Sequence, residues 1–145
     1  MSVIEQEQVK EKYHTQAMRY MDNAKECLLK AQKEGKYYND QKYVKMACGT
    51  AYSGLLEGLD GFLQLKGIKA KGKERKSVEF YQRNITKIDK KMLNTFINAY
   101  QILHLSGYYD GIRDAVVIKE GFDEAYALIN KIRPKNFDNN NGEMI

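Results

Sequence analysis

The side chains best suited to chemistry lie close together near the end of a predicted helix. His104 is followed by Tyr108, Tyr109, Asp110 and Arg113. An imidazole titrates near neutral pH, and a neighbouring carboxylate can orient it, so His104 and Asp110 form a candidate acid–base site. The alternative is structural, with His104 half-buried, the tyrosines packed between helices and Asp110 capping the last helix. We favour this second arrangement for a single histidine on an apolar helix face.

A metal or cofactor site is not indicated by the other reactive residues. Glu11 and His14 have the spacing of the Glu-x-x-His motif in di-iron helical bundles, but those sites need a second such motif. At the matching position before the other histidine stands Gln101, whose neutral amide is a poor substitute for a bridging carboxylate. Cys27 and Cys48 have no metal-ligand spacing, which favours two reduced thiols of a cytoplasmic protein. No phosphate-loop, dinucleotide-binding or nucleophile-elbow motif occurs, so we predict no metal and no cofactor.

Positive charge is concentrated between residues 66 and 91. This stretch carries ten basic and three acidic residues, a net +7, whereas the whole chain carries +5. Such a cluster can attract phosphates by counterion release, and Tyr81 could stack on a base. The alternative, which we favour, is a solvated loop between two helices. The candidate nucleic-acid-binding residues are Lys69, Lys71, Lys73, Arg75, Lys76 and Arg83.

The elements that would position these residues are helices. Long stretches rich in Ala, Leu, Lys, Glu and Gln, with Pro134 as the single proline, predict an all-α fold. We expect an up-and-down bundle of four to five helices over residues 1–133 and a disordered tail over 134–145. The expected helices cover about 5–34, 41–66, 77–86 capped by Ser77, one from Asp89 that Gly107 ends or bends, and 109–132 interrupted at Gly121.

A stripe of small residues on the second helix predicts a close helix–helix contact. Its members are Ala47, Ala51, Gly54, Gly58 and Gly61, at spacings of four, three, four and three. Glycine inside a helix costs roughly 0.5–1 kcal/mol relative to alanine, so three of them indicate a packing role. The first helix has a matching face, with Ala17, Ala24 and Ala31 every seven residues. We therefore predict that these two helices form a closely packed antiparallel pair.

The second helix and the region of His104 resemble HEPN domains. Residues 45–59 carry the alanine–tyrosine pair Ala51-Tyr52 and small residues before a leucine-rich turn, and His104 lies where that family usually has its signature histidine. The resemblance implies a helical bundle that is often dimeric. Active HEPN ribonucleases also carry an arginine shortly before the histidine, but this chain has Asn98, Ala99 and Tyr100 there. Tyrosine cannot supply the cationic, bidentate phosphate contact of arginine.

Three functions follow as hypotheses. The leading one is a non-enzymatic, HEPN-like interaction module, cytoplasmic and homodimeric, with the tyrosine-rich surface of Tyr37, Tyr38, Tyr108 and Tyr109 as the interface. The alternatives are a nucleic-acid or nucleotide binder that uses residues 66–91, and a divergent, metal-independent ribonuclease that uses His104. No run of apolar residues is long enough to predict a membrane span, and the N-terminus lacks the pattern of a signal peptide.

Overall fold

A computed structural model describes residues 1–69 and 77–137, and this part of the chain contains five α-helices. They are α1 (Val3–Ala31), α2 (Gln41–Leu65), α3 (Val78–Thr86), α4 (Lys90–Ala99) and α5 (Ala115–Ile129). A π-helix over Tyr100–Tyr109 continues α4, and a 3₁₀ turn over Asn130–Ile132 follows α5. Two short strands, β1 (Lys33–Glu34) and β2 (Tyr37–Tyr38), form an antiparallel hairpin between α1 and α2. The all-α prediction is confirmed.

Local capping chemistry explains where most of the helices begin. The side chains of Asp40, Ser77 and Asp89 accept hydrogen bonds from backbone N–H groups in the first turns of α2, α3 and α4, and the cap at Ser77 is the one expected above. At α1, Ser2 and Glu5 form a reciprocal capping box, so the helix begins two residues earlier than expected.

The first helix ends at Ala31 rather than at Glu34. The reason is the hairpin, in which Lys33 pairs with Tyr38 and Glu34 with Tyr37. The hairpin is in turn bound to the segment before α5, because the Tyr38 amide donates to the Arg113 carbonyl at 2.9 Å. A long-range contact therefore decides this helix end.

The helices α1 and α2 pack closely in an antiparallel pair. A Cβ atom added to Gly54 would lie 2.9 Å from Cβ of Tyr20, and one added to Gly61 would lie 2.5 Å from Cβ of Tyr13. Because the partner number falls as the glycine number rises, the two helices run in opposite directions. The prediction of a close antiparallel pair is confirmed.

The stripe of small residues on α2 serves a second neighbour as well. A Cβ on Gly58 would lie 3.0 Å from Cγ1 of Ile129 on α5, and one on Gly61 would lie 3.0 Å from Cδ1 of Ile132. These partners rise together in number, so α5 runs parallel to α2. The stripe therefore contacts α5 and the turn after it in addition to α1, a contact that the sequence did not predict.

The π-helix completes the up-and-down arrangement. Gly107 packs against Cys48 of α2, whereas Tyr100, earlier in the π-helix, has its ring 5.9 Å from that of Tyr52. The π-helix thus runs antiparallel to α2, with α1 alongside in the same direction and α5 opposed. The buried side chains of all these elements meet in one core that includes Met21, Leu55, Tyr81, Phe96 and Phe122.

The last helix differs from the prediction at two points. It begins at Ala115, capped by Asp114, because residues 109 and before belong to the π-helix. Gly107, which was expected to end or bend the fourth helix, lies inside the π-helix that continues α4 and does not end it. Gly121 does not interrupt α5, and its role is packing, since a Cβ there would lie 2.5 Å from Cγ2 of Ile102.

Residues 134–137, which the sequence assigned to a disordered tail, pack against α1. The backbone amide of Lys135 donates to Oε1 of Glu7 at 3.2 Å, and the ring of Phe137 lies edge-on to His14 at 4.4 Å. This part of the prediction was wrong, and the remaining tail residues, 138–145, lie outside the described residues. Among the described helices, none is both long enough and apolar enough to span a membrane.

Candidate functional site

The imidazole of His104 is packed among four tyrosine rings. Its centroid lies 4.7 Å from that of Tyr52, 5.4 Å from Tyr100 and 5.9 Å from Tyr108, all in stacked arrangements. The ring of Tyr109 approaches edge-on at 5.0 Å. We call these five residues the His104 cluster. Aromatic pairs at such separations contribute about 0.5–1.5 kcal/mol each beyond their burial, so the cluster holds the imidazole in place.

The π-helix and α2 position this cluster. Tyr100, His104, Tyr108 and Tyr109 follow one another along the π-helix, in which the backbone hydrogen bonds run from i to i+5. Tyr52 supplies the remaining ring from α2. Tyr108 and Tyr109 were grouped with His104 from their positions in the sequence, whereas Tyr52 was not. The available signal was that Tyr52 and His104 both belong to the two segments that resemble HEPN domains.

A glycine allows the π-helix to approach α2 here. A Cβ atom on Gly49 would lie 2.7 Å from Cδ1 of Tyr108, so the tyrosine ring rests directly on the α2 backbone. An open groove of about 490 Å³ extends along this contact, lined by Tyr20, Met46, Thr50, Ser53 and members of the His104 cluster. The described residues that line the groove include no lysine, arginine, aspartate or glutamate, so the groove does not resemble a phosphate-binding surface.

Burial favours the neutral forms of His104 and Tyr52. Partial burial lowers the pKa of His104 below its usual value, which favours the neutral imidazole. Burial also raises the pKa of Tyr52 far above its usual value, with smaller contributions from Tyr100 and the carboxylate of Glu79. The cluster can therefore present a neutral hydrogen-bonding nitrogen and phenol hydroxyls among aromatic faces.

The proposed acid–base partners of His104 are not joined to it. Asp110 and Arg113 are both exposed, and among the hydrogen bonds and ion pairs of residues 1–69 and 77–137 none links either side chain to His104. Asp110 does not cap α5 either, since Asp114 does. The structure thus brings His104 together with the tyrosines and leaves Asp110 apart from it.

Two of the six candidate nucleic-acid-binding residues lie in the described part of the chain. Lys71, Lys73, Arg75 and Lys76 lie outside the described residues. Lys69 and Arg83 are described and exposed, and the guanidinium of Arg83 lies 5.9 Å from the ring centroid of Phe80. Nucleic-acid binding by this stretch stays a prediction.

The second histidine is buried in the bundle. His14 is 1% exposed, beside Phe137, and in the described part of the chain no three His, Cys, Asp or Glu side chains lie close enough to bind one metal ion. The Glu-x-x-His spacing of Glu11 and His14 thus places both on one helix face without completing a metal site.

The comparisons with known proteins address the fold. A family model described as a domain of unknown function, DUF5618, matches residues 12–134. The chain belongs to the DUF5618 family. A solved structure described as a protein of unknown function from Dyadobacter fermentans is similar to this DUF5618 chain, with 42% identity and a TM-score of 0.74. The match covers 85% of this chain and 94% of that one, whereas no curated protein matches.

The DUF5618 match spans the elements that form the candidate site. It includes α2 through α5 and therefore every member of the His104 cluster. Both the family and the Dyadobacter protein are described as being of unknown function, so neither assigns an activity to these residues. The HEPN-like interpretation of this DUF5618 protein remains a hypothesis.

Proposed function

We propose that this DUF5618 protein is a non-enzymatic helical interaction module that forms a homodimer through one end of its bundle. The observation that carries the proposal is a group of large apolar side chains exposed together at that end. We call this group the aromatic end, and its members are Tyr37, Met46, Tyr108, Tyr109 and Val116, each between 46% and 73% exposed.

Backbone contacts bring the members of the aromatic end together. Tyr37 forms a β-bridge with Asp114, two residues before Val116. Gln41, at the start of α2, donates to the carbonyl of Gly111, two residues after Tyr109. The hairpin, the start of α2, the end of the π-helix and the start of α5 therefore meet at one surface. Tyr38, which the sequence also assigned to this surface, is buried at 7% exposure and belongs to the core.

The composition of the aromatic end is that of a protein interface. Tyrosine and methionine are enriched in interface cores, and clustered exposed apolar side chains on a folded domain mark contact surfaces. A symmetric dimer would use the same surface on both copies. The resemblance to HEPN domains, which are often dimeric, supports the same proposal.

The surroundings of His104 support a structural rather than a catalytic role. A catalytic base is held by a hydrogen-bonding partner that orients it. His104 is instead held by tyrosine rings on several sides. In the proposed dimer, His104 packs against the rings of Tyr108 and Tyr109 and holds them in place, so that these two side chains face the second copy.

Size-exclusion chromatography with light scattering tests the proposal. We expect a particle of twice the 16.8 kDa chain mass for the wild type. Val116→Asp places a charge in the aromatic end at the second residue of α5, where an acidic side chain favours the helix dipole, so the fold should be retained. We expect this variant to be monomeric at concentrations where the wild type is dimeric.

Ile4→Asp is the matched control. Ile4 is the second residue of α1 and is 72% exposed, against 73% for Val116. It lies about 40 Å along α1 from the hairpin end of that helix. A monomeric wild type at high concentration would refute the homodimer, and an equal loss of dimer in both variants would refute its assignment to the aromatic end.

A further inference from the structure

A second cavity lies at the opposite end of α1 from the hairpin, away from the His104 cluster. It has a volume of about 280 Å³ and lies between one face of α1 and residues 134–137. Glu7, Glu11 and His14 contribute from α1, because residues separated by three or four positions share a helix face. Phe137 covers one side, with its ring against His14. The cavity is independent of the surface proposed for dimerisation.

Two buried polar atoms at this cavity have no hydrogen-bond partner. They are Nε2 of His14, a residue only 1% exposed, and Oε2 of Glu7. The other carboxylate oxygen of Glu7 accepts from the Lys135 amide, and Oε2 lies 3.6 Å from Nζ of Lys10. Oε2 of Glu7 therefore has an ionic partner, whereas Nε2 of His14 has none. A buried polar atom left without a partner costs about 1–3 kcal/mol, so a group entering the cavity that hydrogen-bonds to Nε2 would be stabilised.

The chemistry of the lining indicates which group that is. Burial, with a contribution from the charge of Arg133, lowers the pKa of His14 and keeps its imidazole neutral near pH 7. A neutral imidazole with its proton on Nδ1 presents a lone pair at Nε2. Glu7 and Glu11 add carboxylate oxygens, and the ring of Phe137 adds an aromatic surface that a cation can contact.

Three cationic side chains lie near the cavity. Lys10 lies on α1, Arg133 directly precedes residues 134–137, and Lys135 is one of those residues. Arg133 and Lys135 are exposed, so solvent screens them more strongly than the buried acceptors in the cavity wall. A metal ion fits less well, since no three of the described ligand-type side chains are placed to share one.

We propose that this cavity binds a small organic molecule through a protonated primary amine. The ammonium donates to Nε2 of His14 and to the carboxylate of Glu7, the negative charge of the exposed Glu11 at the edge of the cavity adds to the attraction, and the carbon chain lies against Phe137. No covalent step is involved.

Nuclear magnetic resonance of the imidazole nitrogens tests this directly, because the chain contains only two histidines. Long-range ¹H–¹⁵N spectra are recorded while n-butylammonium chloride is added at constant ionic strength and neutral pH. We expect a saturable shift at Nε2 of His14 and none at His104. The absence of a saturable shift at His14 would overturn the proposal, as would an equal response to tetramethylammonium, which has no N–H donor.

Charge-only substitutions identify the residues responsible. Glu7→Gln keeps an oxygen that can accept from Lys135 but removes the charge, and we expect affinity to fall about tenfold or more. Glu26→Gln is the matched control, an exposed glutamate elsewhere on α1, and should bind like the wild type. If Glu7→Gln releases the covering segment, seen as a loss of ring contacts between Phe137 and His14, then Glu11→Gln decides the question. Unchanged affinity in the deciding variant, or tighter binding of Zn²⁺ than of the amine, would contradict the proposal.

Discussion

Replacing Gly61 by alanine tests the closest approach of α1 to α2. The added Cβ would lie 2.5 Å from Cβ and 2.8 Å from Cγ of Tyr13, and 3.0 Å from Cδ1 of Ile132. A Cβ atom is fixed to the backbone and cannot rotate away, so the helices must separate locally. Overpacking of this kind costs typically 1–3 kcal/mol, and we take about 3 kcal/mol here. Alanine regains about 1 kcal/mol of helix propensity, which leaves a net loss of about 2 kcal/mol.

Gly58→Ala is the comparison variant. Its added Cβ would lie 3.0 Å from Cγ1 of Ile129, a side-chain atom that can move by a few tenths of an ångström. The overlap and the gain in propensity then nearly cancel, and we expect a free energy of unfolding within about 1 kcal/mol of the wild type.

Thermal unfolding followed by circular dichroism measures both variants. For a chain of this length, 1 kcal/mol shifts the Tm by about 2–4 °C, so Gly61→Ala should lower the Tm by roughly 4–8 °C. Guanidinium unfolding at 25 °C provides an independent free energy. If Gly61→Ala were as stable as Gly58→Ala, the close contact between α1 and α2 at Tyr13 would be refuted.

Three further predictions concern a helix cap, a buried histidine and a buried thiol. Asp89→Ala removes the acceptor for two amides of the first turn of α4 and should cost about 1 kcal/mol in urea unfolding, and no loss would argue against the cap. The pKa of His14 is lowered in the folded state, so the unfolded state binds more protons as the pH falls below about 6.5. The free energy of unfolding should therefore fall from pH 7 towards pH 5, and less steeply in His14→Gln; equal slopes would contradict this. Burial raises the pKa of the Cys48 thiol to about 12. In the Cys27→Ser variant, Cys48 is the single remaining thiol, and we expect it to react with a thiol reagent at pH 8 only after the protein is unfolded.

The helix boundaries that depend on neighbouring residues could be predicted from the sequence. Asp40, Ser77 and Asp89 cap their helices through hydrogen bonds to residues no more than three positions away. Residue type and local spacing are enough to indicate such caps. The stripe of small residues likewise predicted the contact with α1. Its second contact, with Ile129, depends on where the chain returns after α4, which periodicity does not reveal.

The features that the sequence did not reveal depend on long-range contacts. The hairpin has two-residue strands, and bonds to Arg113 and Asp114 far along the chain help to hold it. Gly121 was expected to interrupt α5, but it is required because Ile102 lies against it.

The candidate site was predicted in part. Tyr108 and Tyr109 were identified as neighbours of His104 because they are close in sequence. Tyr52 was not, because it is more than fifty residues away, and Asp110 was included only on the basis of its sequence position. Tyr52 and His104 come together because the π-helix packs antiparallel on α2, which the sequence did not predict.

The π-helix makes the aromatic end sensitive to the number of residues in the chain as well as to their identity. A π-helix has more residues in each turn than an α-helix. Loss of one residue between Tyr100 and Tyr109 could therefore return the segment to α-helical geometry. The hydrogen bonds would then run from i to i+4 instead of from i to i+5. Deleting the exposed Gln101 would thereby shorten the spacing between Tyr100 and His104 from four residues to three, while leaving every side chain of the His104 cluster present. In this segment, an insertion or a deletion is expected to be more disruptive than a substitution at the same exposed position.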